Sequence, residues 1–521
     1  MPHEAALAIV VAFALVSCAV GPAPAATPVP SAALSGGTLR VAIPAEVTTL
    51  DPWNADAASL VATRQIYETL IAVDPASGAL QPGLASSWQP ANDGASWTFT
   101  MREGIRFQDG APLDAASVAA SFERARNTRA PGRGAAPYTS YRALFGGFDE
   151  GSAIARVQPL DARTVRFELR PPFGPFLAHL AAPQAAIARG DAGTGPFVAA
   201  TDALAPDGTL TLDRNDAYWQ RDAAGKRLPY LGGLVLRPVR DAAARLAELR
   251  GGRVDLALEL PIQQAAAARS DPSLALVARR DAALASLGID PTIAPFDRVE
   301  ARRAVALAVD RGALSGVYAG LARGAAQVVP SAVLGYDGSV SEFAPLDAVA
   351  ARRLLAAAQV VAPALADLAY PAVATAAYPD PQRIAQSLAA DLGKIGIVAR
   401  LRAVEPAAIR DAKAALWLET TPIGLDPDDV FWPLFGPRAA AAESATDLGS
   451  LVTGLLAKVR NEAEPTKRAE LYKQVSKITR TEASRVPLVF ADRASGASAR
   501  LAGYGFVTDA SGSFGTVWLR P

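Results

Sequence analysis

Between Ile384 and Val404 the hydrophobic period of this chain changes once, and that change limits the folds open to it. Ile384, Leu388, Leu392 and Ile395 recur at i, i+4, i+8 and i+11, the stripe of an amphipathic helix. Gly396 supplies a stop, and IVARLRAV (397–404) then continues as a strand. The same order returns later, where a helix bearing Leu471, Val475 and Ile478 precedes the strand-like VPLVFA (486–491). Helix-then-strand units of this length predict α/β layers with partly parallel sheets. Further strands are expected in TLRVAI (38–43), in WTFTMR (97–102) and in TVRFELR (164–170). In the second, Trp97, Phe99 and Met101 share a face, and in the third Val165, Phe167 and Leu169 do so; both faces read as core. Asp114 opens a helix carrying Val118, Phe122 and Ala125, and Asp297 with Glu300 has the spacing of a capping box ahead of ARRAVALAV (301–309).

At 521 residues the chain exceeds one ordinary core, so two or three lobes are expected. Acids and bases number 51 each, which gives no global field for nucleic acid. Cys18 is the lone cysteine and His3 and His179 the only histidines. That excludes an intrachain disulfide, imidazole or thiolate metal cages and histidine triads; no metal and no cofactor is expected. The chain has no GxxxxGK[ST] phosphate loop, no G-x-S-x-G elbow, no H-E-x-x-H and no S-x-x-K. A hydrolase working through a carboxylate pair stays open, because any two acids can meet in space.

Residues 5–17, AALAIVVAFALVS, are continuously small and apolar. The run is shorter than the ~20 residues of a spanning helix and fits an export signal. Its flank MPHE departs from the usual pattern in having no Lys or Arg. Leu15-Val16-Ser17-Cys18 resembles the lipobox of bacterial lipoproteins, which implies a signal peptide over 1–17 and lipidation of Cys18. Residues 18–36, rich in Pro, Ala and Gly and uncharged, read as a tether holding the body off a membrane.

The dense segment IYETLIAVDPASGALQPGLASSWQPANDGASWTFTMREGIRFQDGAPLDAASVAASFERA (66–125) resembles the signature of the extracellular solute-binding proteins of peptide- and nickel-type ABC importers, family 5. TLDPWNA (49–55), GTGPF (193–197), LDRNDAYW (212–219), LPYLGGL (228–234), ELRGGRVDLA (248–257), PFDRVEARRAVALAVDR (295–311) and GLDPDD (424–429) extend the likeness in order. The resemblance implies an α/β fold: a type II periplasmic-binding-protein clamshell of two lobes with an extra α/β domain. It implies lobe I over 37–70, 191–282 and 485–521, the extra domain over 71–190 and lobe II over 283–484. It also implies a monomeric receptor outside the cytoplasm, lipid-anchored to the cell membrane, that closes over a solute and delivers it to ABC permease subunits. A receptor presenting its ligand to a membrane sensor is the other binding role.

The stretch WLETTPIGLDPDDVFW (417–432) shows neither helical nor strand period and reads as a loop touching a ligand. Peptide-binding members carry Ala-Asp-Tyr-Pro-Asp-Pro after a tryptophan, the first aspartate gripping the peptide's α-amino group. Asp426-Pro427 matches the final Asp-Pro, and the gripping position is then Ile423, which has no carboxylate. Either Glu419 replaces that acid for a peptide, or the solute lacks an ammonium there, as an oligosaccharide stacking on Trp417 would. Trp417, Glu419, Thr421, Ile423 and Asp426 are the expected ligand contacts, with Trp53 of LDPWNA at the mouth of the cleft. Asp428 and Asp429 read as a solvated turn, and Trp432 as core.

Overall fold

Exposed and half-buried residues mix through Leu274–Asp281 and give way to a fully buried run from Ala282 to Ile289. The change marks one sixteen-residue strand, Leu274–Ile289, passing from one core into another. Arg485–Ser498 runs antiparallel beside it, from Gly288↔Arg485 to Leu274↔Ser498. Their register shifts between Arg279 and Ala283, and there Asp281 takes a left-handed φ of 53°. A bulge of this kind bends a strand pair, so the two long strands form the joint between the lobes. Ala283, Ala285, Leu287 and Ile289 share a core with Val486, Leu488, Val489 and Ala491. Ala494 and Ala497 instead belong to clusters built on Leu249 and Leu39. The second strand therefore passes from one core to another near Asp492.

The computed structural model describes residues 36–521 except 75–76, 92–93, 132, 134–136, 340–345, 376, 438–446 and 506–512. The expected signal (1–17), Cys18 and the tether up to residue 35 lie outside the described residues. Among these, one eleven-stranded mixed sheet unites both lobes. From one edge it runs Ile397–Val404, Ala364–Pro371, Leu416–Pro422, Leu274–Ile289, Arg485–Ser498, Leu256–Leu260, Thr38–Ile43, Gly233–Pro238, Leu210–Arg214 and Phe197–Leu204, with Ala322–Gly324 pairing on Arg485–Ser498. Parallel pairs occur in both halves, as Thr38–Ile43 with Gly233–Pro238 and Ala364–Pro371 with Ile397–Val404. The helix expected before residue 397 is Pro381–Lys394, which buries Ile384, Leu388 and Leu392. Gly396 follows it with φ 92°, a backbone conformation that favours glycine.

The extra domain is a four-stranded antiparallel sheet, ordered Ala85–Ala91, Ser96–Met101, Thr164–Leu169, Ile154–Pro159. The helix Ala115–Arg126 covers it, started by a reciprocal Asp114–Ser117 capping box. Phe99, Met101, Val165, Phe167 and Leu169 are buried on the expected faces, with Trp97 packed at their margin. The capping box expected of Asp297 and Glu300 does not form. Arg298 is the N-cap of Val299–Ala308 and makes no side-chain cap bond, while Asp297 stays exposed beside it.

Candidate functional site

Trp417–Trp432 is a strand, a turn and a helix, not a loop. Leu416–Pro422 pairs antiparallel with Ala283–Ile289, third from one edge of the sheet, and Asp428–Phe435 follows as a helix. The strand period was obscured because Glu419 and Thr421, both polar, are buried on the face opposite Leu416 and Leu418. Glu419 is 4 % exposed and meets two arginines: Arg410 Nε donates to Oε2 at 2.9 Å, and Arg485 Nε lies 2.8 Å from Oε1. Trp417 Nε1 donates to the same carboxylate at 3.1 Å. Burial would raise the Glu419 pKa, but the Arg485 and Arg410 charges outweigh it and hold it below the ordinary value. The Trp417 indole lies across Gly288, where a Cβ would collide with it, and has the Arg485 guanidinium 4.7 Å from its ring centre. Thr421 and Ile423 are buried, Ile423 among Val430, Phe431 and Leu434.

The aspartates after Ile423 form a second ion network. Asp426 accepts both Nη donors of Arg468 at 2.8 Å, each side chain no more than 6 % exposed. Asp428 is buried 3.1 Å from Arg460 Nε, in place of the solvated turn expected for it. Asp429 accepts the Asp426 amide at 3.1 Å and lies 3.1 Å from Nε2 of His179, whose Nδ1 faces the Leu144 carbonyl at 2.7 Å. Two acids in a helix's first turn also complement its dipole. His179 stands in the extra domain, so this contact joins that domain to lobe II. Gly174 tightens the join: its amide donates to the Arg460 carbonyl at 2.6 Å, and a Cβ there would strike the Glu462 carbonyl. Arg460 stacks between Trp432 and Phe173, 3.9 and 5.1 Å from their ring centres. From sequence, His179 stood alone; only its position as the lone histidine of the body hinted at a partner.

These contacts set a pH dependence. Burial would lower the His179 pKa, but its hydrogen bond to Asp429 and the nearby acid charges raise it above the ordinary 6.5. Burial pushes Asp428 from 3.8 up to about 6, against the Arg460 charge. Stabilisation by His179 is thus full below pH 6.5 and lost as pH rises through its raised value. A raised carboxyl has the same sign, so Asp428 gives up stability as pH rises from about 4 to about 6. Asp426 and Glu419, both lowered by their arginines after burial is overcome, lose theirs only in stronger acid. Thermal melts across pH should therefore peak at about pH 4 and fall toward pH 8, and His179→Gln should flatten the upper limb.

Trp53 does not stand at a cleft mouth. It is fully buried, edge-on to Tyr141 at 5.3 Å and Phe122 at 5.5 Å. Asp51 ahead of it caps that turn and bonds Arg124. A cavity of about 790 Å³ lies between lobe I and the extra domain, lined by Arg64, Tyr67, Glu68, Arg102 and Trp219 among others. Glu68 accepts from Tyr218 Oη, Trp219 Nε1 and Thr194 Oγ1, each at 2.8 Å, yet burial keeps its pKa raised. Sequence reading missed this carboxylate, although YETL, LDRNDAYW and GTGPF supplied its partners. Among the described residues no group of three or more metal-ligating side chains converges, and no helix is long and apolar enough to cross a membrane.

Residues 79–442 match the model of the bacterial extracellular solute-binding proteins, family 5 (middle region). The chain is similar to the glutathione-binding protein GsiB of Salmonella paratyphi A, 28 % identical over 516 residues, covering 94 % of this chain and 96 % of that one. Among solved structures it is similar to HbpA2 from Haemophilus parasuis, with a TM-score of 0.82 at 24 % identity over 93 % of this chain and all of that one. The periplasmic binding protein DppA from Helicobacter pylori, in complex with the peptide STSA, gives a TM-score of 0.71 at 24 % identity, covering 94 % and 99 %.

Proposed function

The chain belongs to the bacterial extracellular solute-binding proteins, family 5, and on that premise we propose that the solute it captures for an ABC importer is a short peptide of the glutathione kind. Its role is that of an extracytoplasmic receptor in a family of binding proteins. The observation that carries the mechanism is the joint. Only a solute that contacts both lobes gains by bending the paired strands Leu274–Ile289 and Arg485–Ser498 shut, so binding and closure are linked. The likeness to GsiB along nearly the whole chain supports a peptide solute.

In this reading 37–70, 191–282 and the C-terminal segment form lobe I, 71–190 the extra domain and 283–484 most of lobe II. Trp417, Glu419, Thr421, Ile423 and Asp426 build the lobe II wall behind the solute, and Trp53 props the extra domain beside it. The Trp417 ring is engaged by Gly288 and Arg485, which favours the peptide over a stacked oligosaccharide. Cys18 carries the lipid and residues 18–36 the tether, and the receptor acts as a monomer. Thermal melts with reduced glutathione, a tripeptide panel and maltotriose test the solute class. A peptide present at a hundredfold excess over its dissociation constant should add about 2.7 kcal/mol. Stabilisation by maltotriose alone would reverse the assignment.

A further inference from the structure

The joint between the lobes carries a charge pattern that the fold alone does not call for. Arg279 and Arg493 are direct partners across the long strand pair, and like charges facing each other on an antiparallel ladder repel. Of the acids around them, Asp281 and Asp492 are engaged elsewhere, and Glu259 pairs with Arg493 alone. Asp281 gives its two oxygens to Arg323 at 2.7 and 2.6 Å. Asp492 accepts the Asp281 amide at 3.0 Å, and burial raises its pKa. Glu259 meets Arg493 through one contact of 3.2 Å. Arg279 itself has a neutral partner: its Nη2 donates to the Ile423 carbonyl at 2.8 Å. Among the described residues no carboxylate lies within ion-pair distance of it. Burial and then the Arg493 charge push its pKa down to about 10.

A third arginine feels the charge of this pair. Burial and then the Arg279 charge lower the Arg64 pKa to about 9, and Arg64 lines the 790 Å³ cavity. All three arginines are half-buried, so their guanidinium groups are partly desolvated. A carboxylate fits such a place chemically. It accepts paired N–H bonds from planar guanidinium forks and cancels the repulsion between them.

We propose that Arg279 and Arg493 form an anion subsite at the joint that takes a carboxylate of the solute, with Arg64 adding its charge from the cavity side. This deepens the short-peptide reading and rests on it. Because the pair stands where the register shifts, a bound carboxylate favours the strand geometry in which both guanidinium groups converge on it. Solute charge is thereby coupled to lobe closure.

The test uses the full chain, wild type and Arg279→Gln, with three probes: reduced glutathione, its carboxyl-amidated form, and glutarate. The wild type should bind glutathione about tenfold or more tightly than the amide, a difference of about 1.4 kcal/mol. Arg279→Gln should erase that preference while its ligand-free melting temperature stays level or rises, since a repulsive pair has been relieved. A merely structural arginine would instead lower it. Equal affinity for acid and amide overturns the subsite and leaves the peptide reading standing. Glutarate stabilisation that depends on Arg279, with neither peptide form bound, supports the subsite and removes the peptide reading. No response to any of the three probes overturns both.

Discussion

Arg468→Met should destabilise the protein by about 3–5 kcal/mol, the usual cost of stranding one member of a buried ion pair. Arg468 and Asp426 are each no more than 6 % exposed and share two bonds of 2.8 Å. Without the guanidinium, Asp426 keeps among the described residues only the Asp428 amide, at 2.9 Å, and stands near two more acids, Asp428 and Asp429. The Asp426→Asn, Arg468→Met double variant should recover most of the loss, because the asparagine still accepts that amide without a buried charge. Urea melts of the two single variants and the double variant complete the cycle. A double variant as unstable as the sum of the singles would show that packing around Arg468, rather than charge, is what the site requires.

What the sequence made legible follows from which side chains announce their surroundings. The stripe Ile384–Ile395 and the faces of Phe99 and Phe167 could be read because apolar residues repeat with the period of the element. The family likeness was legible for a similar reason, since its motifs lie in order along the chain. Leu416–Pro422 was not legible. A strand whose inner face carries Glu419 and Thr421 breaks the polar–apolar alternation, and the arginines that neutralise it come from positions 410 and 485. The burial of Asp428 and the partner of His179 were hidden likewise. Each depends on a contact between elements far apart in the chain, of which period and spacing carry no trace. Trp53 shows the converse: its motif pointed to a cleft, but packing against Tyr141 and Phe122 decides where an indole sits.

The arrangement also answers what the acidic, tryptophan-bracketed stretch touches. Its carboxylates face protein cations: Glu419 faces Arg410 and Arg485, Asp426 faces Arg468, and Asp428 faces Arg460. Asp429 reaches His179 in the extra domain. One network braces the sheet beside the joint, and the other fastens the extra domain to lobe II. A clamshell needs such rigid bodies on either side of its bend, because a solute can drive closure only if the lobes do not yield first.

Glu419→Gln separates bracing from ligand contact. The substitution keeps the side chain's shape and an acceptor for Trp417 Nε1, but removes the charge that balances Arg485, 3 % exposed, and Arg410, 42 % exposed. Loss of the negative member of a buried ion cluster costs about 3–5 kcal/mol. The exposure of Arg410 allows part of that cost to be met by water, so the lower end, about 3 kcal/mol, is expected. If Glu419 braces the sheet, the variant should melt well below the wild type while its folded fraction binds solute with nearly unchanged affinity. If Glu419 grips the solute, affinity should collapse and the ligand-free melting temperature should hold. Arg485→Met distinguishes the two again from the partner's side. Bracing predicts that it destabilises like Glu419→Gln and that the two losses fail to add, because both break one contact.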